Sequence, residues 1–244
     1  MEPQLKPVRT DDGQGFGRGV DYTAQQAAVS PQAQKVLRNT YLLLAISLIP
    51  TAIGAAIGSN IDMSFLRTNP GLSFFGILVA FYGWIFAIEK NRNSGLGVGL
   101  LLGFTLFLGL LLGPLLQRVL GFSNGVQLVM MAAGGTAAVF FGLAGIASSV
   151  KRNFSAMGNF LAVGAIVIML AVVANFFFQS PAAYLAILGA FILFSSMAIL
   201  WQVNHVVRGG ETSYVSATLT LYVQIYNLFS ALLQLLGIFG GNRD

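Results

Sequence analysis

Long apolar blocks separated by short breaks dominate the chain from about residue 39 to residue 239. A helix needs about 20 mostly apolar residues to cross the hydrocarbon core of a bilayer. The blocks predict helices at 39–58, 71–88, 95–117, 126–147, 156–178, 182–204 and 214–239. The sequence therefore predicts an all-α integral membrane protein, a bundle of seven transmembrane helices in contact with lipid.

The low content of charged residues supports this prediction. Asp, Glu, Lys and Arg make up 9% of the chain, against about 25% in an ordinary soluble domain. The breaks carry turn residues, as at Asn69-Pro70-Gly71 and Ser180-Pro181. Because the basic residues flank the apolar blocks, we interpret the net charge of +5 as a topology signal and expect no nucleic-acid partner.

The N-terminal residues 1–34 differ from the rest of the chain. They are polar, with glycines interleaved among Gln, Asp and Arg, and contain few large apolar side chains that could offset the entropy of ordering. We therefore predict a disordered tail at 1–34 and one membrane domain at 35–244. The tail lacks the apolar core of a signal peptide, so the first helix is expected to be an uncleaved anchor.

The basic residues also predict an orientation, because cytoplasmic loops carry an excess of Lys and Arg. The side that bears the N-terminus carries Lys35, Arg38, Lys90, Arg92, Lys151, Arg152 and Arg208. The opposite side carries Arg67, Arg118 and Arg243. We expect a cytoplasmic N-terminus and, with an odd number of helices, an exported C-terminus.

Glycines recur at a spacing of four residues within the blocks. The pairs are Gly54 and Gly58, Gly99 and Gly103, and Gly109 and Gly113. In lipid, such spacing lets two helix backbones approach closely. The pairs could serve homodimerisation or packing within one bundle, and we favour the second interpretation. The sequence leaves the oligomeric state open.

The residue types needed for catalysis or metal binding are scarce. The chain has no cysteine and one histidine, and its eight acidic residues all lie outside the predicted membrane interior. Thiolate and histidine metal sites are therefore excluded, and no carboxylate dyad or phosphate-binding loop is present. We expect neither an enzyme nor a bound metal or cofactor.

The last predicted helix is unusually polar. Thr220, Gln224, Asn227 and Gln234 form one polar stripe, and tyrosines lie on another face. A helix with polar groups on two faces should avoid lipid, so we expect it at the centre, surrounded by the other six.

Polar residues also end the sixth predicted helix, at Gln202 and Asn204. With Thr220, Gln224 and Asn227 they could line a pore or cavity between the last two helices. The alternative, which we favour, is interhelical hydrogen bonding. His205 is predicted to lie in the following loop. It is a candidate pH sensor, because imidazole titrates near neutral pH, or else a solvated loop residue.

Several segments carry a resemblance to a known family. They are KVLRNTY at 35–41, GGT at 134–136 followed by FF at 140–141, GGET at 209–212, AT at 217–218, LY at 221–222 and IYNLF at 225–229. Together they resemble the Bax inhibitor-1 family, and most closely its bacterial YccA-like branch. The resemblance implies a seven-helix fold with a central last helix, in the bacterial inner membrane, with a periplasmic C-terminus.

Two functions follow from the resemblance. The YccA-like branch implies a regulator that binds and restrains the membrane-anchored AAA+ protease FtsH, which extracts membrane proteins by an exposed tail. Other members are proposed to leak calcium in a pH-dependent manner through an aspartate on each of the last two helices. Those positions are Gln202 and Gln224 here. An amide has no charge for calcium, which prefers carboxylate oxygens, so the leak remains the alternative.

Overall fold

A computed structural model describes residues 29–149, 154 and 156–241. Within them lie α1 (Pro31–Gly58), α2 (Pro70–Lys90), α3 (Gly95–Leu120), α4 (Gly125–Ser149), α5 (Met157–Phe178), α6 (Pro181–Val207) and α7 (Tyr214–Gly240). A short helix, Ser64–Thr68, lies between α1 and α2. All seven numbered helices are long and apolar enough to cross a membrane, which confirms the predicted fold class.

The start of α1 differs from the prediction. Ser30 caps the helix, because its hydroxyl oxygen accepts a hydrogen bond from the Ala33 N–H at 3.2 Å, and Pro31 occupies the first turn. Residues 31–34 therefore belong to α1, and the predicted boundary at residue 35 is too late. The predicted disorder of the tail concerns residues that, up to 28, lie outside the described part of the chain.

Glycines bring α1 and α3 into backbone contact. A Cβ atom added to Gly54 would overlap the carbonyl oxygen of Leu106, and one added to Gly109 would overlap that of Thr51. Gly58 and Gly113 meet in the same way one turn further along. This seam, formed by the four glycines, accounts for two of the three predicted pairs by packing within one chain.

The last helix, α7, lies at the centre of the bundle. It contacts α1, α2, α3, α4 and α6, and in α7 only Ile238 and Phe239 are exposed. The prediction that all six other helices surround it fails for α5, whose backbone lies close to that of α6 alone. Leu161 is the one fully buried residue of α5, and the exposed apolar side chains of this helix, such as Val163, Ile166 and Leu170, are available to lipid.

Candidate functional site: cavities beside the last helix

The middle of α7 is fixed by Tyr222, whose side chain is 1% exposed. Its hydroxyl lies 2.7 Å from the Thr51 hydroxyl of α1 and donates to the Thr105 carbonyl of α3 at 3.3 Å. Burying a tyrosine inside a membrane protein requires a partner for its hydroxyl. These contacts therefore tie the centre of α7 to the α1–α3 pair.

The N-terminal end of α7 is bound to the loop between α2 and α3. The Ser213 hydroxyl donates to the Arg92 carbonyl at 3.1 Å and accepts from the Ser216 N–H. The Ser216 hydroxyl donates to the Glu89 carboxylate at 2.9 Å. The Glu211 carboxylate accepts from the Ser213 N–H at 2.8 Å. Glu211 therefore binds the backbone just before the start of the helix, where the helix dipole favours a carboxylate.

Two cavities lie beside the C-terminal half of α7. The first, which we call the inner cavity, has a volume of about 340 Å³ and lies between α5, α6, α7 and the start of α2. It is lined by Phe74, Val172, Asn175, Phe176, Tyr184, Ile187, Leu188, Phe191, Asn227, Ser230, Ala231 and Gln234. Because this cavity lies between α5 and α7, the backbones of the two helices are not in contact.

The second cavity, which we call the end cavity, lies at the C-terminal end of α7 and has a volume of about 440 Å³. It is lined by Leu115, Arg118, Val119, Phe122, Tyr184, Gln234, Gly237, Ile238 and Gly241. Tyr184 and Gln234 line both cavities, and the Tyr184 hydroxyl donates to the Gln234 side-chain oxygen. The two cavities therefore meet at this pair.

Aromatic rings close the inner cavity between α2 and α5. Phe74 and Phe176 stack with ring centroids 4.8 Å apart and an interplanar angle of 16°. Phe75 meets the same Phe176 ring at 6.4 Å. The backbones of α2 and α5 are not in contact, so the two helices meet through the side chains of these rings.

Of the predicted cavity residues, Asn227 lines the inner cavity, together with Gln234 of the same stripe. Thr220 and Gln224 lie further toward the N-terminal end of α7 and line neither cavity. The side-chain oxygen of Gln224 is buried and has no hydrogen-bond partner among the described residues.

The two predicted residues of α6 are more deeply buried, with Gln202 3% and Asn204 2% exposed, and they also lie outside both cavities. The Asn204 amide donates to the Ala147 carbonyl of α4 at 3.3 Å, and its oxygen accepts from the Phe154 N–H at 3.3 Å. Asn204 thus forms one interhelical hydrogen bond, to α4, and a second bond to the segment between α4 and α5.

His205 lies in the last turn of α6, so its predicted position in a loop is wrong. Its ring stacks on Trp201 with centroids 5.0 Å apart, and Gly210 packs so close to it that a Cβ atom would overlap the ring. The helix continues past the predicted end to Val207, and Gly209, with a φ of 75° that suits glycine, follows its C-cap Arg208. Its predicted role in pH sensing stays a prediction.

The sequence did not single out Tyr184, Phe74 or Arg118 as site residues. Tyr184 follows the Ser180-Pro181 break by one turn, and an interfacial tyrosine is ordinary at such a position. The placement of α5 makes Phe74 and Tyr184 walls of the inner cavity, whereas Arg118 lines the end cavity, which α5 does not border. In the described part of the chain, no three His, Asp or Glu side chains cluster closely enough to hold a metal ion.

The fold and these cavities define a multi-pass helical membrane protein with a buried, polar last helix. Residues 33–241 match the family model described as "Inhibitor of apoptosis-promoting Bax1". The chain belongs to the Bax inhibitor-1 family.

Two relatives illustrate the similarity. An uncharacterised protein of Neisseria meningitidis serogroup A is 44% identical over 218 residues, which cover 88% of this chain and 94% of that protein. The "Modulator of FtsH protease YccA" of Escherichia coli strain K12 is 41% identical over 210 residues, covering 86% of this chain and 92% of that protein. The same identity and coverage relate the chain to the "Inner membrane protein YccA" of Escherichia coli O6:H1. The chain is therefore YccA-like over most of its length.

Proposed function

We propose that the chain is a regulator without catalytic activity of its own, which modulates an FtsH protease by direct interaction in the bacterial inner membrane. The observation that carries the proposal is the 41% identity, over most of both chains, to a protein named as a modulator of FtsH. The structure adds a second argument, because the described membrane interior lacks the charged groups that transport and hydrolysis commonly use.

The positions of the acidic residues support a regulator over a transporter. In the described part of the chain, Asp62 and Glu211 lie in loops and Glu89 lies in the last turn of α2. Below the inner cavity, Ile199, Val203 and Tyr222 are almost fully buried. These large side chains form an apolar layer between the cavity and the other end of the bundle, which opposes the passage of ions.

The orientation belongs to the same proposal. Lys35, Arg38, Lys90, Arg92 and Arg208 flank helix ends on one side of the bundle, and this excess of basic residues favours the cytoplasmic side. The N-terminal tail would then lie in the cytoplasm and the C-terminus in the periplasm. A cytoplasmic tail is accessible to a protease that extracts membrane proteins by an exposed tail.

Deleting residues 1–28 is expected to weaken the effect on the protease. This deletion spares the Ser30 cap and the Val29 carbonyl, which accepts a hydrogen bond from Gln34, so α1 should remain intact. The measurement is the rate at which FtsH degrades a membrane substrate in proteoliposomes, with the full chain, the truncated chain or neither. The full chain should slow degradation, and the truncated chain should slow it less.

A full-length variant with residues 1–28 in scrambled order is the matched control, because it keeps length and composition. Loss of inhibition in the truncated chain alone would indicate that tail length matters, and loss in both would indicate that its sequence matters. Equal inhibition by all three would contradict a role for the tail. A full chain without effect on any FtsH substrate would contradict the proposed function itself.

The alternative function is an ion leak, and one observation favours it. The inner cavity reaches from the Tyr184–Gln234 pair to Asn227, near the middle of α7. A movement of the apolar layer below it would open a path lined by Gln224 and Gln202. Calcium would still find amide oxygens in place of the carboxylates it prefers.

Flux into dye-loaded liposomes separates the two functions. We expect the unmodified protein to pass neither calcium nor potassium between about pH 6 and pH 8, a range that covers the titration of imidazole. The double variant Gln202→Asp/Gln224→Asp is expected to gain calcium flux, because it restores two carboxylates. Gln127→Asp, the same change at an exposed position of α4, is the control. Flux through the unmodified protein would place the leak first.

A further inference from the structure

The end cavity has a cationic rim. Arg118 lines it from the last turn of α3 and is exposed. No carboxylate among residues 29–149, 154 and 156–241 lies within ion-pair distance of its guanidinium. A guanidinium without an acidic partner among these residues is suited to binding a phosphate, with which it can form paired hydrogen bonds.

The inner cavity has mostly apolar walls. Val172, Ile187, Leu188 and Phe191 line it, with Phe74 and Phe176 closing it between α2 and α5. A few polar groups interrupt these walls, among them Tyr184 and Gln234, which also line the end cavity. Apolar walls with a few placed polar groups are typical of a site for a small ligand.

We propose that the inner and end cavities together bind one phosphate-bearing anionic lipid, with its phosphate at Arg118 and an acyl chain in the inner cavity. A ligand that occupies both cavities must contact Tyr184 and Gln234, since they line both. Arg118 lies in the last turn of α3, and the ends of membrane-spanning helices are expected at the depth where lipid headgroups meet water. A cation at this depth attracts anionic headgroups.

A lipid is favoured over a free phosphate because the described lining of the two cavities offers a single cation. Among the described residues that line the two cavities, Arg118 is the only basic one. A soluble phosphate would gain this one contact near water, where an ion pair contributes little. A lipid gains in addition the contacts of its acyl chain with the apolar walls.

Native mass spectrometry of the purified full chain tests the proposal. The probes are phosphatidylglycerol and phosphatidylcholine with identical acyl chains. We expect one phosphatidylglycerol to be retained in preference to phosphatidylcholine. Arg118→Gln should lower its occupancy about fivefold, the effect of one basic residue near a headgroup. Val172→Phe should lower it to a similar extent, because the larger ring fills the inner cavity.

Matched controls distinguish the site from general effects. Arg38→Gln removes an exposed charge at the opposite end of the bundle, and Val163→Phe makes the same change on a residue of α5 that is 61% exposed. Both should retain the lipid. Equal retention of the two lipids, or unchanged retention in Val172→Phe with a normal size-exclusion profile, would overturn the proposal. So would displacement of the lipid by glycerol phosphate, which would show that the headgroup alone binds. Should Val172→Phe not fold, unchanged retention by Arg118→Gln would overturn the proposal by itself.

Discussion

Replacing Gly109 by alanine is expected to lower the free energy of unfolding by about 1–3 kcal/mol, the usual cost of overpacking. The new methyl group would overlap the backbone carbonyl of Thr51. Backbone atoms cannot turn aside as a flexible side chain can, so α1 and α3 would have to separate. That separation would also break the contact between Gly58 and Gly113 one turn away. Gly109→Leu should prevent folding.

Gly99→Ala is the control for this prediction, because it adds the same methyl group to the same helix where no atom lies within 4 Å. Alanine is favoured over glycine in a helix by about 0.5–1 kcal/mol, so this variant should be as stable as the unmodified protein or slightly more so. Equilibrium unfolding in mixed detergent micelles measures both. Equal stability of Gly109→Ala and Gly99→Ala would show that the seam tolerates a side chain and that the close approach is not essential.

Truncating Tyr222 is expected to have the largest effect of any single change in α7. Tyr222→Ala should lower the free energy of unfolding by about 3–5 kcal/mol, as for other buried aromatic residues. Tyr222→Phe keeps the ring and removes the hydroxyl near Thr51 and Thr105. It should cost about 1 kcal/mol, the net contribution of an ordinary hydrogen bond.

The same two substitutions at Tyr82, which is 49% exposed on α2, provide the comparison and should each change stability little. Unfolding followed by tryptophan fluorescence suits the series, since both tryptophans are untouched. A loss in Tyr222→Phe as large as in Tyr222→Ala would mean that the hydroxyl contacts, and not ring packing, hold α7 in place. Similar losses at Tyr82 and Tyr222 would contradict the central position of α7.

The helices could be predicted from the sequence because the bilayer sets their length. Each apolar block has to cover the hydrocarbon core, so the number of helices and most of their ends follow from hydropathy. The start of α1 could not be predicted from hydropathy, because half of residues 31–38 are polar. That segment is helical through its Ser30 cap and Pro31, which hydropathy does not register. His205 was misplaced for a related reason, since the glycine with positive φ follows the C-cap of α6.

The candidate site was only partly predictable. The polar stripe of α7 could be seen from its spacing, and Asn227 and Gln234 do line the inner cavity. Its apolar walls could not be identified, because Val172 and Phe191 have the same composition signal as any lipid-facing or core residue. The position of α5 determines which polar residues face the inner cavity. Hydropathy does not predict that position, because the backbone of α5 packs against that of one other helix.

The sparse packing of α5 against the rest of the bundle affects how easily it moves. Displacing α7 would disrupt its packing with five helices, whereas displacing α5 would disrupt its packing with α6 and the aromatic contacts at Phe176. The free energy needed for a local opening rises with the number of contacts that the opening breaks. α7 and the five helices packed on it thus form the rigid part of the bundle, and α5 is the helix that is displaced most easily. Displacement of α5 changes the volume of the inner cavity, because α5 forms one of its walls.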